Sequence, residues 1–390
     1  MPYVRMKSWL LAWLLGATSW IAAQTPRWQI SLPQNPGLES FDREASAIWM
    51  SQQGVLFLMP DKILLYQVNR TRDFAKLGPR RAGGGAGNFL LNIKVLSARD
   101  GRLLKSMDVL TSGGQSQVLA TRGGGFVVQA GSALYSYSSD FAKVAERELP
   151  LDKSAEPEDW QARVSPSGEK LVLMHQQIFM APELLADQTV LHDGKAKVDV
   201  QVLNAATLQT EKSFALDHTL AFWAPMDDRF ISSNPAHSYS DGQMGTLDFS
   251  GNWSPLKTEV PKENTACRLG MIAINQQRVA LYGCDAVSVF STSGERLFRH
   301  QDLRMVFVSA LAAGAHLAAQ CNHYRMEAFG VSGGILAGTR ADRVEVYDLD
   351  SQKRRMSVPI RGSSAYYALS AEGDLAVVDG PNLRVFHVDK

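Results

Sequence analysis

Excess charge of either sign is absent from this sequence. Lysine and arginine together number 40 and aspartate and glutamate 39, a net charge of +1 over 390 residues. A protein that binds nucleic acid or an anionic membrane surface electrostatically needs a basic excess, so neither is expected as a partner. Beyond residue 24 no apolar run is long enough to cross a bilayer, and no membrane span is expected in the mature chain.

Cysteine is also scarce, with three in the whole chain. Cys267 and Cys284 flank a segment that has the pattern of a hairpin turning near Gln276, and they lie almost equally far from that turn. A cross-strand disulfide between them is therefore predicted, with a stabilisation of about 3 kcal/mol for a loop of this size. Cys321 is left over; we expect a buried free thiol, with a metal or redox role as the alternative.

The first 23 residues differ from the rest of the chain. A short basic leader with Arg5 and Lys7 precedes an apolar run over residues 8–23 that ends in two alanines. This order is typical of a signal peptide, and cleavage is predicted near Ala23, so that the mature chain covers residues 24–390. The leader contains no cysteine, which excludes a lipoprotein attachment site. The mature protein is therefore expected to be periplasmic or secreted, with an uncleaved anchor as the alternative.

Short alternating strands separated by turn residues recur along the mature chain. A strand, a turn and an outer strand are repeated in copies that begin at Ile93, Ala133, Val200, Thr246, Val287, Val344 and Leu383. The preceding half of the unit, two strands joined by a Ser-x-x-Gly-acid turn, recurs at Arg163–Leu173 and Ala368–Val377. Seven units average about 52 residues, more than the roughly 40–45 of a plain propeller blade. The pattern therefore predicts a β-propeller with insertions.

The predicted fold is all-β: one domain with seven four-stranded antiparallel blades, six or eight blades being the alternatives. The blades are predicted at about 54–110, 116–150, 160–216, 219–260, 266–304, 305–360 and 365–390. The last unit contains three strands, at Tyr366–Ser370, Leu375–Val378 and Leu383–Val388. Pro26–Leu32 alternates like a strand, and we predict that it pairs with Leu383–Val388 and closes the ring, because closure removes exposed sheet edges.

Four insertions account for the extra length, at about 69–90, 175–197, 233–243 and 321–339. Each is predicted to connect the second strand of a blade to the third. Since all such connections emerge at the same end of a propeller, one face should carry long loops and the other short turns. Long loops on a rigid scaffold are where binding residues concentrate.

The binding candidates lie in or next to these insertions. They are His175, His192, His237, His323, Arg80 and Arg81. Histidines on converging loops could hold a metal or act as a general base, but the sequence contains neither His-x-His nor His-Glu-x-x-His. No catalytic residue, metal ligand or cofactor is therefore assigned, with a divalent metal as the alternative. The tryptophans Trp49, Trp160, Trp223 and Trp253 are expected to pack between blades rather than to stack on a ligand.

The repeat resembles those of secreted bacterial WD40-like and quinoprotein-like (YVTN-type) β-propellers. The segments that carry the likeness are Val164-Ser-Pro-Ser-Gly168, Leu369-Ser-Ala-Glu-Gly373, Val346-Tyr-Asp348 and Ala98-Arg-Asp-Gly101. The Gly-His and Trp-Asp dipeptides of eukaryotic WD40 repeats are absent, as is the recurring Trp that quinone-dependent propellers place after the glycine turn. The resemblance implies a fold and no particular chemistry.

Two functions are compatible with these features. The first is a non-enzymatic scaffold, expected to be monomeric, that binds a protein, peptide or glycan through the face with the long loops. The second is a propeller enzyme of the lactonase, lyase or dehydrogenase type, with a polar or metal site at the mouth of the channel. An enzyme should gather several histidine and carboxylate side chains at one point, whereas a binding module should present a broad surface.

Overall fold

A computed structural model of the chain describes most of its strands. The residues described are 25–32, 38–39, 53–71, 89–111, 116–149, 160–178, 196–217, 220–235, 243–259, 270–282, 286–301, 326–327, 335–340, 343–360 and 366–388. Within them the regular structure is β-strand apart from one 3₁₀ turn at Arg122–Gly124. A search of these residues for a helix of the length and apolarity needed to traverse a bilayer finds none.

The strands are numbered in chain order. They are β1 (Trp28–Ser31), β2 (Leu38–Glu39), β3 (Gln53–Met59), β4 (Lys62–Thr71), β5 (Phe89–Ser97), β6 (Leu103–Thr111), β7 (Ser116–Ala120), β8 (Phe126–Ala130), β9 (Ala133–Tyr137), β10 (Lys143–Glu148), β11 (Trp160–Val164), β12 (Lys170–Ile178), β13 (Ala196–Asn204), β14 (Thr210–Leu216), β15 (Trp223–Pro225), β16 (Arg229–Ser233), β17 (Gln243–Asp248), β18 (Trp253–Glu259), β19 (Gly270–Asn275), β20 (Arg278–Tyr282), β21 (Ala286–Ser291), β22 (Arg296–Gln301), β23 (Met326–Glu327), β24 (Ile335–Arg340), β25 (Arg343–Asp348), β26 (Arg354–Pro359), β27 (Tyr366–Leu369), β28 (Asp374–Asp379) and β29 (Asn382–His387).

These strands form an all-β propeller of four-stranded antiparallel blades. Six blades follow one another along the chain: β2–β6, β7–β10, β11–β14, β15–β18, β19–β22 and β23–β26. A terminal sheet combines β27, β28 and β29 with β1. The structure therefore shows six consecutive blades where seven were predicted. The last predicted unit corresponds to the terminal sheet, whose strands come from both ends of the chain.

The first blade departs from the predicted four strands because it has five. Both β2 and β3 pair with the same edge of β4, β3 through Gln53↔Gln67 and β2 farther along through Leu38↔Thr71. The two short strands therefore occupy one row end to end, and the sheet stays four rows wide.

The predicted pairing of Pro26–Leu32 with Leu383–Val388 is confirmed. Strand β1 is antiparallel to β29, with Trp28 opposite Val385 and Ser31 opposite Asn382. The indole N–H of Trp28 donates to the carbonyl oxygen of Ala98 in the first blade at 2.7 Å. The N-terminal strand therefore contacts the terminal sheet and the first blade together.

The hydrophobic core lies between sheets. Each cluster of buried apolar residues draws on two neighbouring sheets, because both faces of a blade are covered. The sixth blade and the terminal sheet share the cluster of Val344 and Tyr367. The terminal sheet and the first blade share the cluster of Ile63 and Val385. Central strands are consequently buried along their length, as in β8, where all five residues are buried.

In each of the six consecutive blades, a left-handed residue lies in the turn between the third and fourth strands. These residues are Gly101, Phe141, Leu208, Gly251, Gly294 and Gln352. The loops that end in these residues are three or four residues long, and such loops place a bulge beside the left-handed residue. In five of the six blades the ladder accordingly shifts register near this turn, for example between Val95 and Leu96. Half of these positions are not glycine, so the turn leaves no uniform motif in the sequence.

All three cysteines lie outside the described residues, as do residues 1–23 with the expected signal peptide. The hairpin of β19 and β20 does form, with Gly270 opposite Tyr282 and the turn at Gln276 and Gln277. It brings together the two chain segments that lead to Cys267 and Cys284. The disulfide between them stays a prediction.

Candidate functional site

The two ends of the propeller differ in how the chain connects its strands. We call the end that holds the turns at Asp61, Gly123, Ser167, Asp227 and Gln276 the turn face. At the opposite end, the connection face, the second strand of each blade is linked to the third. The long links on the connection face are residues 72–88, 179–195 and 234–242, and the short ones are residues 131–132, 283–285, 341–342 and 380–381.

The sixth blade differs from its prediction. The range 321–339 was expected to be a long link between the second and third strands, but it contains β23 and most of β24, the first and second strands. The link between β24 and β25 is residues 341–342. The long connections are therefore confined to the first, third and fourth blades.

The turn face is held together by bonds between successive turns. The amide of Arg122 donates to the carbonyl of Gly168 at 3.1 Å, and the Arg122 side chain forms an ion pair with Glu169. The hydroxyl of Ser167 donates to Asp227 at 2.7 Å, and Gln276 donates to the other oxygen of that carboxylate. Polar groups of four blades are thus hydrogen-bonded or ion-paired to one another at this end.

Arg163 connects three blades near the axis. It lies on β11, the first strand of the third blade, and its guanidinium donates to the carbonyl oxygens of Trp223 in the fourth blade and Met271 in the fifth, the latter at 2.8 Å. The guanidinium carbon also lies 4.2 Å from the centre of the Trp223 ring, a cation–π distance. The side chain therefore supports the inner strands.

We expect Arg163→Met to lower the free energy of unfolding by about 2 kcal/mol, because two carbonyls lose a charged donor and the ring loses its cation. Arg163→Lys should recover part of the loss, since an ammonium cannot reproduce the planar fork. The control is Arg229→Ala, whose exposed side chain pairs with its neighbour Asp228 and should contribute less than about 0.5 kcal/mol. Urea unfolding of the three variants measures the difference, and equal losses for Arg163→Met and Arg229→Ala would contradict it.

Of the predicted binding residues, the structure describes His175. It lies on β12, opposite Trp160 on one side and Asp199 on the other, and is buried. Its ring stacks on the Trp160 indole with centroids 4.9 Å apart. His175 therefore belongs to the packed body of the third blade, below the connection of residues 179–195. His192, His237, His323, Arg80 and Arg81 lie outside the described residues.

Histidine, cysteine and carboxylate side chains do not gather at one point in the described part of the chain: no group of three or more with metal-site geometry occurs there. The tryptophan prediction is confirmed for three residues, since Trp160 and Trp223 are buried in clusters between blades and Trp253 packs against one. Trp49 lies outside the described residues.

A second arginine that sequence patterns did not single out, Arg147, joins the second blade to the third. It donates to the carbonyl oxygen of Leu208 at 3.0 Å and to Gln201 at 2.6 Å. Burial lowers the pKa of Arg147 from its usual value. Arg147, Arg163 and Asp227 each find their partners more than 40 residues away. A local motif cannot indicate such contacts.

No family model matches the sequence, and a comparison with curated proteins also finds no match. Among solved structures, Hsv2p of Kluyveromyces lactis aligns at 9% identity and a TM-score of 0.45, over 83% of this chain and 89% of that one. BamB of Moraxella catarrhalis aligns at 13% identity and a TM-score of 0.41, over 93% and 99%. The protein lmo1340 of Listeria monocytogenes EGD-e aligns at 11% identity and a TM-score of 0.49, over 87% and 94%. Similarities this weak carry no conclusion about function.

Proposed function

We propose that this chain is an exported β-propeller of the secreted bacterial WD40-like type, and that it binds a protein, peptide or glycan through its connection face. In this proposal the terminal sheet is a seventh blade, and β1 closes the ring. Residues 1–23 direct export and are removed, and residues 24–390 act as one domain. Two observations support closure: β1 pairs with β29, and hydrophobic clusters join the terminal sheet to both the first and the sixth blade.

The observation that carries the binding proposal is the difference between the two faces. On the turn face, turns of neighbouring blades bond to one another through Arg122, Ser167 and Asp227. On the connection face, three blades carry the long links of residues 72–88, 179–195 and 234–242, while the other links are two or three residues long. Long connections between the strands of a rigid scaffold are typical sites of binding loops.

The candidate contacts follow from this placement. Arg80 and Arg81 fall within the link of residues 72–88, His192 within 179–195 and His237 within 234–242. Arginine and histidine offer several N–H donors to carboxylate, carbonyl or hydroxyl oxygens, which peptides and glycans present in abundance. His175, by contrast, would support the base of its link from inside the blade.

The test is to shorten the long links and leave the blades intact. In one variant Asn-Gly replaces residues 72–88 and 179–195, because a two-residue turn of this kind suits an antiparallel hairpin. The control variant, Arg122→Ala with Glu169→Ala, alters the turn face, where the Arg122 side chain is exposed and that of Glu169 is partly exposed. Wild type and both variants are screened against a phage-displayed random peptide library and an array of bacterial glycans, with thermal unfolding as the check on folding.

Ligands selected on the wild type should bind the control variant equally well and bind the shortened variant at least tenfold more weakly. Two results would count against the proposal: equal binding to the shortened variant while it remains folded, or a loss of binding confined to the turn-face variant. Absence of any ligand in both screens would also argue against it.

A further inference from the structure

The outer strand of the first blade, β6, exposes three leucines. The exposed fractions are 53% for Leu103, 41% for Leu104 and 42% for Leu110. Among the described residues, the other large apolar side chains with comparable exposure are Met59 and Val144. Three of these five exposed apolar side chains therefore lie on one strand at the rim of the propeller, away from both faces.

The same strand has an open edge. One edge of β6 pairs with β5 regularly from Phe89 opposite Thr111 to Val95 opposite Lys105, and the register then shifts so that Leu104 bulges without an opposite residue. In the sheet as far as the structure describes it, no strand pairs with the other edge. A strand of nine residues leaves alternate N–H and C=O groups along that edge facing outward. Such a row can accept another strand.

Four of the other outer strands carry features that hinder strand addition, and the remaining two, β1 and β14, expose no large apolar side chain. Pro255 in β18 and Pro359 in β26 each remove a backbone donor. Strand β10 has four charged residues among six, and β22 contains two arginines. Charge and proline are the usual means of blocking an edge. Strand β6 has one lysine, one aspartate and no proline over its nine residues.

The two sides of β6 have different surroundings. Met107 and Val109 face the second blade and pack in the cluster shared with it, and Thr111 contacts Ser116 there at 2.9 Å. The alternate residues Ser106, Asp108 and Leu110 are all exposed, and so is the bulged Leu104 that follows them toward the turn. The Asp108 carboxylate accepts a hydrogen bond from Asn92 at 2.6 Å. The exposed side is therefore apolar at both ends and acidic near its middle.

We propose that β6 is a docking edge that adds an extended segment of a partner protein as a further strand. The segment that fits it is antiparallel, carries aliphatic side chains opposite Leu110 and near the bulged Leu104, and has a lysine or arginine opposite Asp108. Main-chain hydrogen bonds provide the affinity of this arrangement, and the side chains on the exposed side select the sequence.

A second copy of the chain fits the edge less well. Two antiparallel β6 strands related by a two-fold axis align Leu104 with Leu110 of the other copy only when the axis passes at Met107. In that register the two Asp108 side chains become diagonal neighbours, and like charges at that position repel. A partner with a cation there keeps the leucine contacts and neutralises the carboxylate.

The probe is the peptide Val-Thr-Lys-Thr-Thr-Thr-Val with blocked ends and a fluorescent label, titrated with the full mature protein by anisotropy. Its first valine is placed opposite Leu110, its lysine opposite Asp108, and its last valine near the bulged Leu104. We expect saturable binding that falls at least tenfold for the double variant Leu104→Lys, Leu110→Lys. Val144→Lys, which adds a charge at a comparably exposed site on β10, should leave the affinity unchanged.

Two further measurements separate strand addition from simple apolar contact. N-methylation of alternate peptide residues on the pairing edge should abolish binding, because it removes the donors but keeps the side chains. Asp108→Lys should weaken the binding of the lysine peptide and strengthen the binding of a peptide that has glutamate instead of the lysine. These substitutions are at exposed positions, so the fold should survive, which thermal unfolding verifies.

Several results would overturn the proposal: no binding, binding that withstands N-methylation, or equal affinity for the double variant. Concentration-dependent dimerisation that the double variant loses would assign the edge to a second copy, and would overturn the choice of partner. The variant with shortened links should bind the peptide like wild type, so failure here and failure of the connection-face proposal are distinguishable.

Discussion

A chain of residues 34–390 is expected to have about 4 kcal/mol less unfolding free energy than a chain of residues 24–390. The loss is the sum of the half-buried side chains of Trp28, Ile30 and Leu32 and of the indole hydrogen bond. The reason is that β1 completes two contacts together. It pairs along β29, and Trp28 packs against the first blade, where an added Cβ at Gly101 would come within 2.9 Å of the indole. Urea unfolding of the truncated chain and of the chain of residues 24–390 measures the loss.

Point variants refine this test. Trp28→Ala should remove about half of the total, whereas Gln29→Ala, whose exposed side chain reaches Asn382 at 3.5 Å, should change stability by less than about 0.5 kcal/mol. A synthetic peptide of residues 24–33 added to the truncated protein should restore part of the loss, because it can occupy the vacated row. If truncation leaves the urea midpoint where it was, β1 does not close the ring.

The second large effect is expected at Gly168, in the turn of the third blade. Its φ is +76°, and a Cβ there would overlap the backbone nitrogen of Arg122 and lie 2.8 Å from the carbonyl carbon of Thr121. Gly168→Ala should therefore cost about 3 kcal/mol, of which roughly 1 kcal/mol is the left-handed conformation and the rest displacement of the second blade's turn.

Gly123 supplies the matched control. Its φ is +71°, close to that of Gly168, but an added Cβ would meet no atom within 4 Å. Gly123→Ala should cost only the conformational part, about 1 kcal/mol. Chemical denaturation of the two variants isolates the contact between the turns. Losses of equal size would mean that the turn at Arg122 can move away from a Cβ at Gly168 without a measurable loss of stability.

Most of the strand pattern could be predicted from the sequence because local rules determine it. The three strands of the terminal sheet were predicted to within one residue at each end, since alternation and the turns at Gly373 and Gly380 mark them. The pairing of Pro26–Leu32 was predicted by counting strands. The last unit has three strands instead of four, and Pro26–Leu32 is a strand that belongs to no other unit. The prediction for the sixth blade was wrong, because β23 has only two residues and therefore shows no alternation.

The polar architecture was much less predictable. Arg163, Arg147 and Asp227 resemble any other surface residue in a sequence, and their roles depend on carbonyls and side chains that folding brings from other blades. His175 was predicted at the start of a loop, but β12 continues to Ile178, so the histidine is three residues inside the strand and buried. Loop ends are the least certain part of such predictions.

The pairing of β1 with β29 also constrains when the molecule can finish folding. Gln29 and Asn382 hydrogen-bond across 353 positions in the sequence. Strand β1 is synthesised long before β29 and must therefore wait for it, and the blades between them in the chain can pack first. Contacts this distant in the chain form slowly. The pairing of β1 thus follows the synthesis of β29, and until then the edges that the two strands share stay exposed.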